Sequence, residues 1–221
     1  MKFYKYEIPV AYSMIALAKL ALLEQVQPFQ NFICYWTAFN NIYVTIADNK
    51  GQRIQQRLRR GNPVTRNVGG VTIPEVDVIT ERKQIQMAIE EFDIDLKHYL
   101  LIHPATRFFV ERTPSWKGKK IEYDSSGQRL NGVINVGKTM DEKHPVWSPI
   151  NAILYKHYLQ HTTDVAAREA LCEQIVEILY TIRNNTLHGG KRADDANDHD
   201  VLVQAFPLLK MIVEYFFHEA V

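Results

Sequence analysis

The segment LCEQIVEILYTIRNNTLHGGK, residues 171–191, joins an apolar helical stripe to a cluster of polar side chains. Its apolar residues recur at spacings of four, three and four, the period of one core-facing side of an α-helix. They are Leu171, Ile175, Ile178 and Ile182. Gly189 and Gly190 are expected to end the helix, because glycine takes the left-handed C-cap conformation without steric cost. The segment therefore predicts a long core helix that ends beside His188.

Three polar side chains are expected to cluster at this helix end. Asn184 and His188 are four residues apart and share a helical face, while Arg183 lies to one side of it. A histidine near a helix C-terminus exchanges protons near neutral pH. Arginine offers a permanently charged planar fork to phosphate oxygens, and asparagine holds a hydroxyl, a phosphate oxygen or an imidazole ring. This set suits phosphodiester chemistry without a metal.

The sequence Arg183-Asn-Asn-Thr-Leu-His188 resembles the R-x4-H motif of the HEPN superfamily, in which a polar residue commonly follows the Arg. The resemblance implies a small helical bundle, often a two-fold dimer that brings two motifs together. Many members are metal-independent endoribonucleases, which implies attack of a ribose 2′-hydroxyl on the adjacent phosphate. By the same resemblance, His188 transfers protons, Arg183 stabilises the transition state and Asn184 positions the nucleotide or His188. No cofactor is implied.

Composition favours one domain over residues 1–221. The chain has 26 Lys and Arg against 25 Asp and Glu, so contact with a nucleic acid would depend on local basic patches. Cys34 and Cys172 fall in apolar helical runs and are interpreted as small core residues, with a disulfide between them left open. A reducing cytoplasm is the expected location. No uninterrupted apolar stretch is long enough to predict a membrane span.

Helical periodicity predicts a mainly all-α fold, a bundle of five or six helices. The predicted helices cover residues 9–26, 28–47, 80–103, 148–159 and 164–188, with caps at Thr80 and Asp164. A last helix through Leu202 and Phe216 contains Pro207, which is expected either in its first turns or at a kink. Asn40 lies on the apolar stripe of the second helix, in a segment similar to second helices of bacterial HEPN proteins. We favour a buried amide bonded to backbone there over a role in supporting an active site.

Two segments interrupt the helical pattern. Residues 48–80 form a basic loop excursion, with a short helix expected at 51–60, and residues 105–146 form a β-hairpin insertion, interpreted as a plain surface hairpin or a flap. The candidate RNA-binding residues are Arg53, Arg57, Arg59, Arg60 and Lys191. A solvated charged surface explains the excursion equally well.

Histidine and aspartate patterns elsewhere do not predict a metal site. His157 and His161 are four residues apart on a helix, but the other ligands of the familiar zinc motif are missing, so a solvent-facing pair is expected. The acidic run from Asp194 to Asp200 is expected to favour the start of the last helix through its dipole.

These features lead to a main hypothesis of a metal-independent endoribonuclease in a toxin, antiphage-defence or RNA-processing setting. It would act on RNA as a homodimer with a composite active site, without membrane association, and with a possible antitoxin or other regulatory protein. The alternative is a catalytically silent HEPN module that binds RNA, a nucleotide or a partner protein such as a nucleotidyltransferase. A third hypothesis is a purely structural helical bundle.

Overall fold

The chain folds mainly into helices, as the sequence predicts, and also contains small antiparallel β-sheets. A computed structural model describes residues 1–4, 7–23, 27–59, 62–116, 119–120, 135–139, 156–187 and 196–218. The helices are α1 Pro9–Leu23, α2 Pro28–Asn49, α3 Glu81–Ile89, α4 Ile94–Ile102, α5 Pro104–Glu111, α6 within residues 156–160, α7 Val165–Leu187 and α8 Ala196–Tyr215. The strands are β1 Ile54–Gln56, β2 Leu58–Arg59, β3 Asn62–Pro63, β4 Thr65–Val68, β5 Val71–Pro74, β6 Val76–Val78, β7 Arg112–Trp116, β8 Lys119–Lys120 and β9 Asn135–Thr139.

Helix α2 is the central element of the core. It begins at Pro28, which suits a first helical turn, and it packs against α1, α3, α7 and α8. Large side chains on several of its faces are almost completely buried: Phe32, Tyr35, Trp36, Phe39, Ile42, Tyr43 and Ile46. A helix that is apolar over so much of its circumference has to be enclosed by other elements, and the remaining helices are arranged around it.

The single third helix predicted from the sequence is wrong, because the chain forms two helices there. Thr80 caps α3 as predicted, and its side chain accepts a hydrogen bond from the Lys83 N–H at 3.3 Å. A second cap follows at Asp93, whose Oδ1 accepts from the Leu96 N–H at 2.8 Å and starts α4. The apolar spacing continues across the break, so periodicity alone does not reveal it.

The predicted insertion begins later than residue 105. Residues Pro104–Glu111 form helix α5, and its Phe109 and Val110 are buried in the core. His103 is extended, as expected for a residue before proline, and separates α4 from α5. The β part follows as one antiparallel sheet in the order β8-β7-β9. Residues 117–118, 121–134 and 140–146 of the predicted insertion lie outside the described residues.

Residues 51–79, here called the β arm, form hairpins, and the short helix predicted at 51–60 is wrong. Strands β1 and β6 pair as a stem, which divides into the hairpins β2–β3 and β4–β5. Three backbone hydrogen bonds of 2.8 Å join the stem to the two hairpins. The Arg57 N–H donates to the Glu75 carbonyl oxygen, the Val64 N–H to that of Arg57, and the Glu75 N–H to that of Val64. Gly69 and Gly70 have φ of 60° and 83°, which a two-residue hairpin turn with positive φ requires.

Helices α3 and α4 run antiparallel to α7 along a seam of polar pairs. Lys97 contacts Glu169 at 2.6 Å, Gln86 contacts Glu173 at 3.0 Å, and Arg82 contacts Glu177 at 2.6 Å. Residues nearer the start of α3 pair with residues nearer the end of α7. The start of α3 therefore lies beside the end of α7.

The remaining predictions about the core are largely confirmed. Cys34 and Cys172 are buried free thiols, and burial raises the pKa of the Cys172 thiol to about 12.

Helix α8 continues through Pro207, which therefore lies in its interior rather than in its first turns. Among the described residues, no helix combines the length and the apolarity that a bilayer crossing requires.

Asp93→Ala is expected to lower the free energy of unfolding by about 1 kcal/mol, because the first turn of α4 loses its cap. Urea denaturation measures this change. Asp93→Asn is the control, since its side chain still accepts the Leu96 N–H, and it should stay within a few tenths of a kcal/mol of wild type at neutral pH (roughly, from the same series). Equal losses in both variants would contradict the capping role.

The same two proteins give a pH test of this cap. The hydrogen bond from Leu96 holds the pKa of Asp93 below its usual range. The ionised Asp93 side chain therefore stabilises the folded protein fully above its unfolded-state pKa of about 3.9. This stabilisation is lost as pH falls through the lower folded-state pKa. Asp93→Asn has no such loss, so its stability relative to wild type should rise as pH is lowered toward 3 (roughly one unit below the unfolded-state value).

Candidate functional site at the end of helix α7

Helix α7 carries Arg183 and Asn184 in its last turns, as the sequence predicts. Asp164 caps the helix, since its Oδ1 accepts from the N–H groups of Ala166 and Ala167 at 2.9 and 3.3 Å. The described helix ends at Leu187. His188, the predicted proton-transfer residue, lies outside the described residues.

The Arg183 side chain joins a polar network that connects three helices. Its Nη1 donates to Asn184 Oδ1 at 2.7 Å and to Glu81 Oε2 at 3.4 Å. The other oxygen of that carboxylate, Oε1, accepts from the Tyr43 hydroxyl at 2.5 Å. Asn40 Nδ2 donates in turn to the Tyr43 oxygen. The C-terminal half of α2, the end of α7 and the first turn of α3 are thus held together by one chain of hydrogen bonds.

The position of the guanidinium group is further defined by an aromatic ring. Arg183 Cζ lies 5.9 Å from the centroid of the Trp36 ring, within the range of a cation–π contact. Its Nε is buried and has no hydrogen-bond partner among the described residues. The side chain as a whole keeps 20% of its surface exposed. Arg183 therefore combines a restrained orientation with partial access to solvent.

Glu81 and Tyr43 are site residues that the sequence reasoning missed. Glu81 follows a helix cap, where an acidic residue is ordinarily explained by the helix dipole, and Tyr43 belongs to the apolar stripe of α2. The interpretation of Asn40 as an amide bonded to backbone is wrong, because its Nδ2 bonds the Tyr43 hydroxyl. Burial, followed by the hydrogen bond and charge of Glu81, raises the pKa of Tyr43, so this hydroxyl remains a donor. The spacing of Asn40 and Tyr43, three residues apart on one helix, was the available signal.

The basic residues predicted to bind RNA differ in their surroundings. Arg53 pairs with Asp48 at 2.9 Å, and Arg57 pairs with Glu75 and Asp77 at 3.2 and 3.7 Å. Arg59 on β2 is exposed, as is Arg57. Arg60 and Lys191 lie outside the described residues. The four arginines belong to the β arm, which ends at Ile79, two residues before Glu81.

The two histidines at helical spacing have separate partners. His157 Nδ1 lies 3.2 Å from Gln174 Oε1, and His161 Nδ1 contacts the carbonyl oxygen of Tyr158. Both rings are partly buried, so the predicted solvent-facing pair is only partly exposed. Within the described part of the chain, no cluster of three or more His, Cys, Asp or Glu side chains is arranged to hold a metal ion.

Comparisons with known proteins provide no relative for this chain: no family model, no curated protein and no solved structure matches it. The polar network around Arg183 and the sequence motif at residues 183–188 are therefore the features on which a function can be proposed.

A double-mutant cycle should show that Glu81 and Arg183 are energetically coupled. For Glu81→Gln and Arg183→Gln we expect a coupling free energy of about 0.5–1 kcal/mol. This value is at the upper end of the range for ion pairs near a surface, because both side chains are largely shielded from solvent. The cycle is measured by urea denaturation. The neighbouring pair of Arg82 and Glu177, whose side chains are 68% and 48% exposed, is the control and should couple more weakly. A larger coupling in the control pair would contradict this ranking.

Proposed function

We propose that this chain is a metal-independent endoribonuclease of the HEPN type, which cleaves RNA by attack of a 2′-hydroxyl and leaves a 2′,3′-cyclic phosphate. The observation that carries the proposal is the restrained, partly accessible guanidinium of Arg183 at the end of α7, five residues before His188. The setting we favour is a toxin system or antiphage defence, with an antitoxin or another regulatory protein as a possible partner. The fold proposed is a HEPN-type bundle in the cytoplasm.

The proposed reaction requires charge stabilisation and two proton transfers. The 2′-oxygen forms a bond to phosphorus while the bond from phosphorus to the 5′-oxygen breaks. One proton leaves the 2′-hydroxyl and one reaches the departing 5′-oxygen. Arg183 supports the negative charge that develops on the phosphate oxygens, since its fork is fixed in position before the substrate arrives. His188 carries a proton, and Asn184 orients the nucleotide or the imidazole ring.

A homodimer supplies the second proton-transfer group. One imidazole acts either as base or as acid in a given step, so two copies of His188 related by a two-fold axis provide both roles from one motif. Arg59 on the β arm is proposed to contact the RNA backbone together with Arg53, Arg57, Arg60 and Lys191.

The surroundings of Arg183 also favour a second candidate, a catalytically silent module that binds RNA, a nucleotide or a partner protein. The Glu81 carboxylate lies 3.4 Å from Arg183 Nη1 and compensates part of its positive charge in the resting site. A phosphate has to compete with that carboxylate, or approach the side of the guanidinium that Glu81 does not occupy. A site of this kind supports binding without requiring turnover.

Cleavage of a mixed-sequence RNA in EDTA tests the main proposal. Wild-type protein should produce 2′,3′-cyclic phosphate ends, and His188→Ala should lower the rate by about 10²–10⁴-fold, as expected for loss of a positioned acid–base group. Arg183→Lys keeps the charge but loses the planar fork and the hydrogen-bond geometry, so it should also lose most of the activity. Product ends are identified by their resistance to phosphatase until the cyclic phosphate is opened with acid.

Arg82→Ala is the matched control for these variants. Arg82 neighbours Glu81 and pairs with Glu177, outside the network, so its removal should leave the rate within about threefold of wild type (roughly the error that a surface substitution introduces). Cleavage that EDTA abolishes, or that His188→Ala retains, would contradict the proposed mechanism. A wild-type protein that binds RNA without cleaving it would support the silent module.

A further inference from the structure

The polar network around Arg183 contains one positive and one negative side chain. The guanidinium of Arg183 and the carboxylate of Glu81 lie 3.4 Å apart. The other members of the network, Asn40, Tyr43 and Asn184, are uncharged. An anion that approaches this network therefore meets an arginine whose charge is offset by a neighbouring carboxylate, and not a lone cation.

Glu81 is held beside Arg183 by a hydrogen bond to its other oxygen. Oε1 accepts from the Tyr43 hydroxyl at 2.5 Å, while Oε2 accepts from Arg183. Tyr43 is 1% exposed and belongs to the core helix α2, so the carboxylate is bonded to a rigid part of the molecule. A glutamate without such a partner could turn away from an incoming anion. Glu81 is bonded through both oxygens, and its negative charge stays in place.

A phosphate bound to Arg183 remains within the electrostatic range of Glu81. The Arg183 side chain is partly exposed, and a phosphate oxygen bonded to it lies about 2.9 Å from a guanidinium nitrogen. Since Glu81 Oε2 lies 3.4 Å from Nη1, such an oxygen is within about 9 Å of the carboxylate. This distance is shorter than the screening length of about 10 Å in 0.1 M salt. Glu81 therefore repels each negative charge that the bound phosphate carries.

The phosphate groups of an RNA molecule differ in charge. An internal phosphodiester carries one negative charge, whereas a terminal phosphate monoester carries about two at neutral pH. A lone arginine attracts the doubly charged group more strongly. Beside a fixed carboxylate, the second charge adds little net attraction, whereas the hydrogen bonds to the guanidinium are available to both groups.

We propose that Glu81 is a specificity-determining residue, which suppresses binding of doubly charged terminal phosphates at Arg183 relative to binding of internal phosphodiesters. The inference deepens the proposed function, and it rests on the assignment of phosphate binding to Arg183. It gives Glu81 a role beyond orientation of the guanidinium. The site accepts positions along an RNA chain and discriminates against phosphorylated ends and free nucleotides.

Binding of two matched ligands tests this selection. Thymidine 3′-phosphate is a monoester and thymidine 3′-methylphosphate is a diester, and neither has the 2′-hydroxyl that cleavage requires. Their dissociation constants are measured by NMR titration near neutral pH in about 0.1 M salt. We define the charge ratio as the dissociation constant of the diester divided by that of the monoester. Glu81→Gln should raise the charge ratio at least about threefold, because loss of the carboxylate favours the dianion more than the monoanion.

Two control variants locate the effect. Glu177→Gln changes the net charge of the protein by the same amount, but Glu177 pairs with Arg82 outside the network, so the charge ratio should stay at the wild-type value. Arg183→Gln should lose most of the binding of both ligands, as expected if they bind at Arg183.

Tyr43→Phe tests whether the carboxylate has to be held. This variant keeps the charge of Glu81 but removes the hydrogen bond to Oε1, so the carboxylate can turn away from the ligand. The charge ratio should rise by a smaller factor than in Glu81→Gln. A purely structural role of Glu81 predicts a different result, in which both ligands lose affinity by the same factor and the ratio is unchanged.

Several results would overturn the proposal. They are a wild-type protein that binds neither ligand, a charge ratio that Glu81→Gln leaves unchanged, an equal rise in Glu177→Gln, and binding that survives Arg183→Gln. A charge ratio that Tyr43→Phe leaves unchanged would reject the requirement for a held carboxylate.

These measurements need no turnover, so they are separate from the test of the nuclease. A raised charge ratio in a protein that does not cleave RNA would reject the proposed nuclease and support the role of Glu81. Cleavage of RNA with an unchanged charge ratio would support the nuclease and reject the role of Glu81.

Discussion

Enclosure of α2 is the constraint on which the rest of the structure depends. Its aromatic side chains, such as Tyr35 and Phe39, are completely buried, and burial of large aromatic groups is among the strongest contributions to core stability. No single neighbour covers so many faces of one helix, so α1, α3, α7 and α8 all pack against it. The separate helices are arranged as they are because they share this one apolar rod.

One buried hydroxyl links this core to the candidate site. Tyr43 is 1% exposed, and a buried hydroxyl group needs a hydrogen-bond acceptor. Glu81 supplies the acceptor, and its largely shielded carboxylate in turn needs a positive partner, which Arg183 provides. The site arginine is thus held in place by a series of requirements that begins in the core. Its orientation is a property of the whole bundle rather than of α7 alone.

The sequence predicted the features that depend on local periodicity and capping. Helices α1, α2 and α7, the caps at Thr80 and Asp164, and burial of both cysteines belong to this group. The break between α3 and α4 was missed because Phe92 and Leu96 continue the apolar spacing across it, and a single Asp93 cap is a weak local signal. In the β arm, the Gln and Arg residues at 51–60 have good helix propensity, whereas strand β6, which pairs with β1, lies about twenty residues later.

The candidate site was predicted only in part, for a related reason. Arg183 and Asn184 are neighbours in the sequence and were recognised together. Glu81 lies on a different helix, and its ion pair with Arg183 arises from the antiparallel packing of α3 against α7. Information about such a contact is distributed over the whole seam between the two helices. No short stretch of the chain contains it.

The short connection between the β arm and α3 has a mechanical consequence. Only Ile79 and Thr80 separate β6 from α3, and Ile79 is buried, with an N–H that donates to the Arg53 carbonyl oxygen at 2.9 Å. Two restrained residues cannot absorb a change in direction as a flexible loop does. A displacement of the arm at Ile79 is therefore expected to shift the helical turn that carries Glu81 as well.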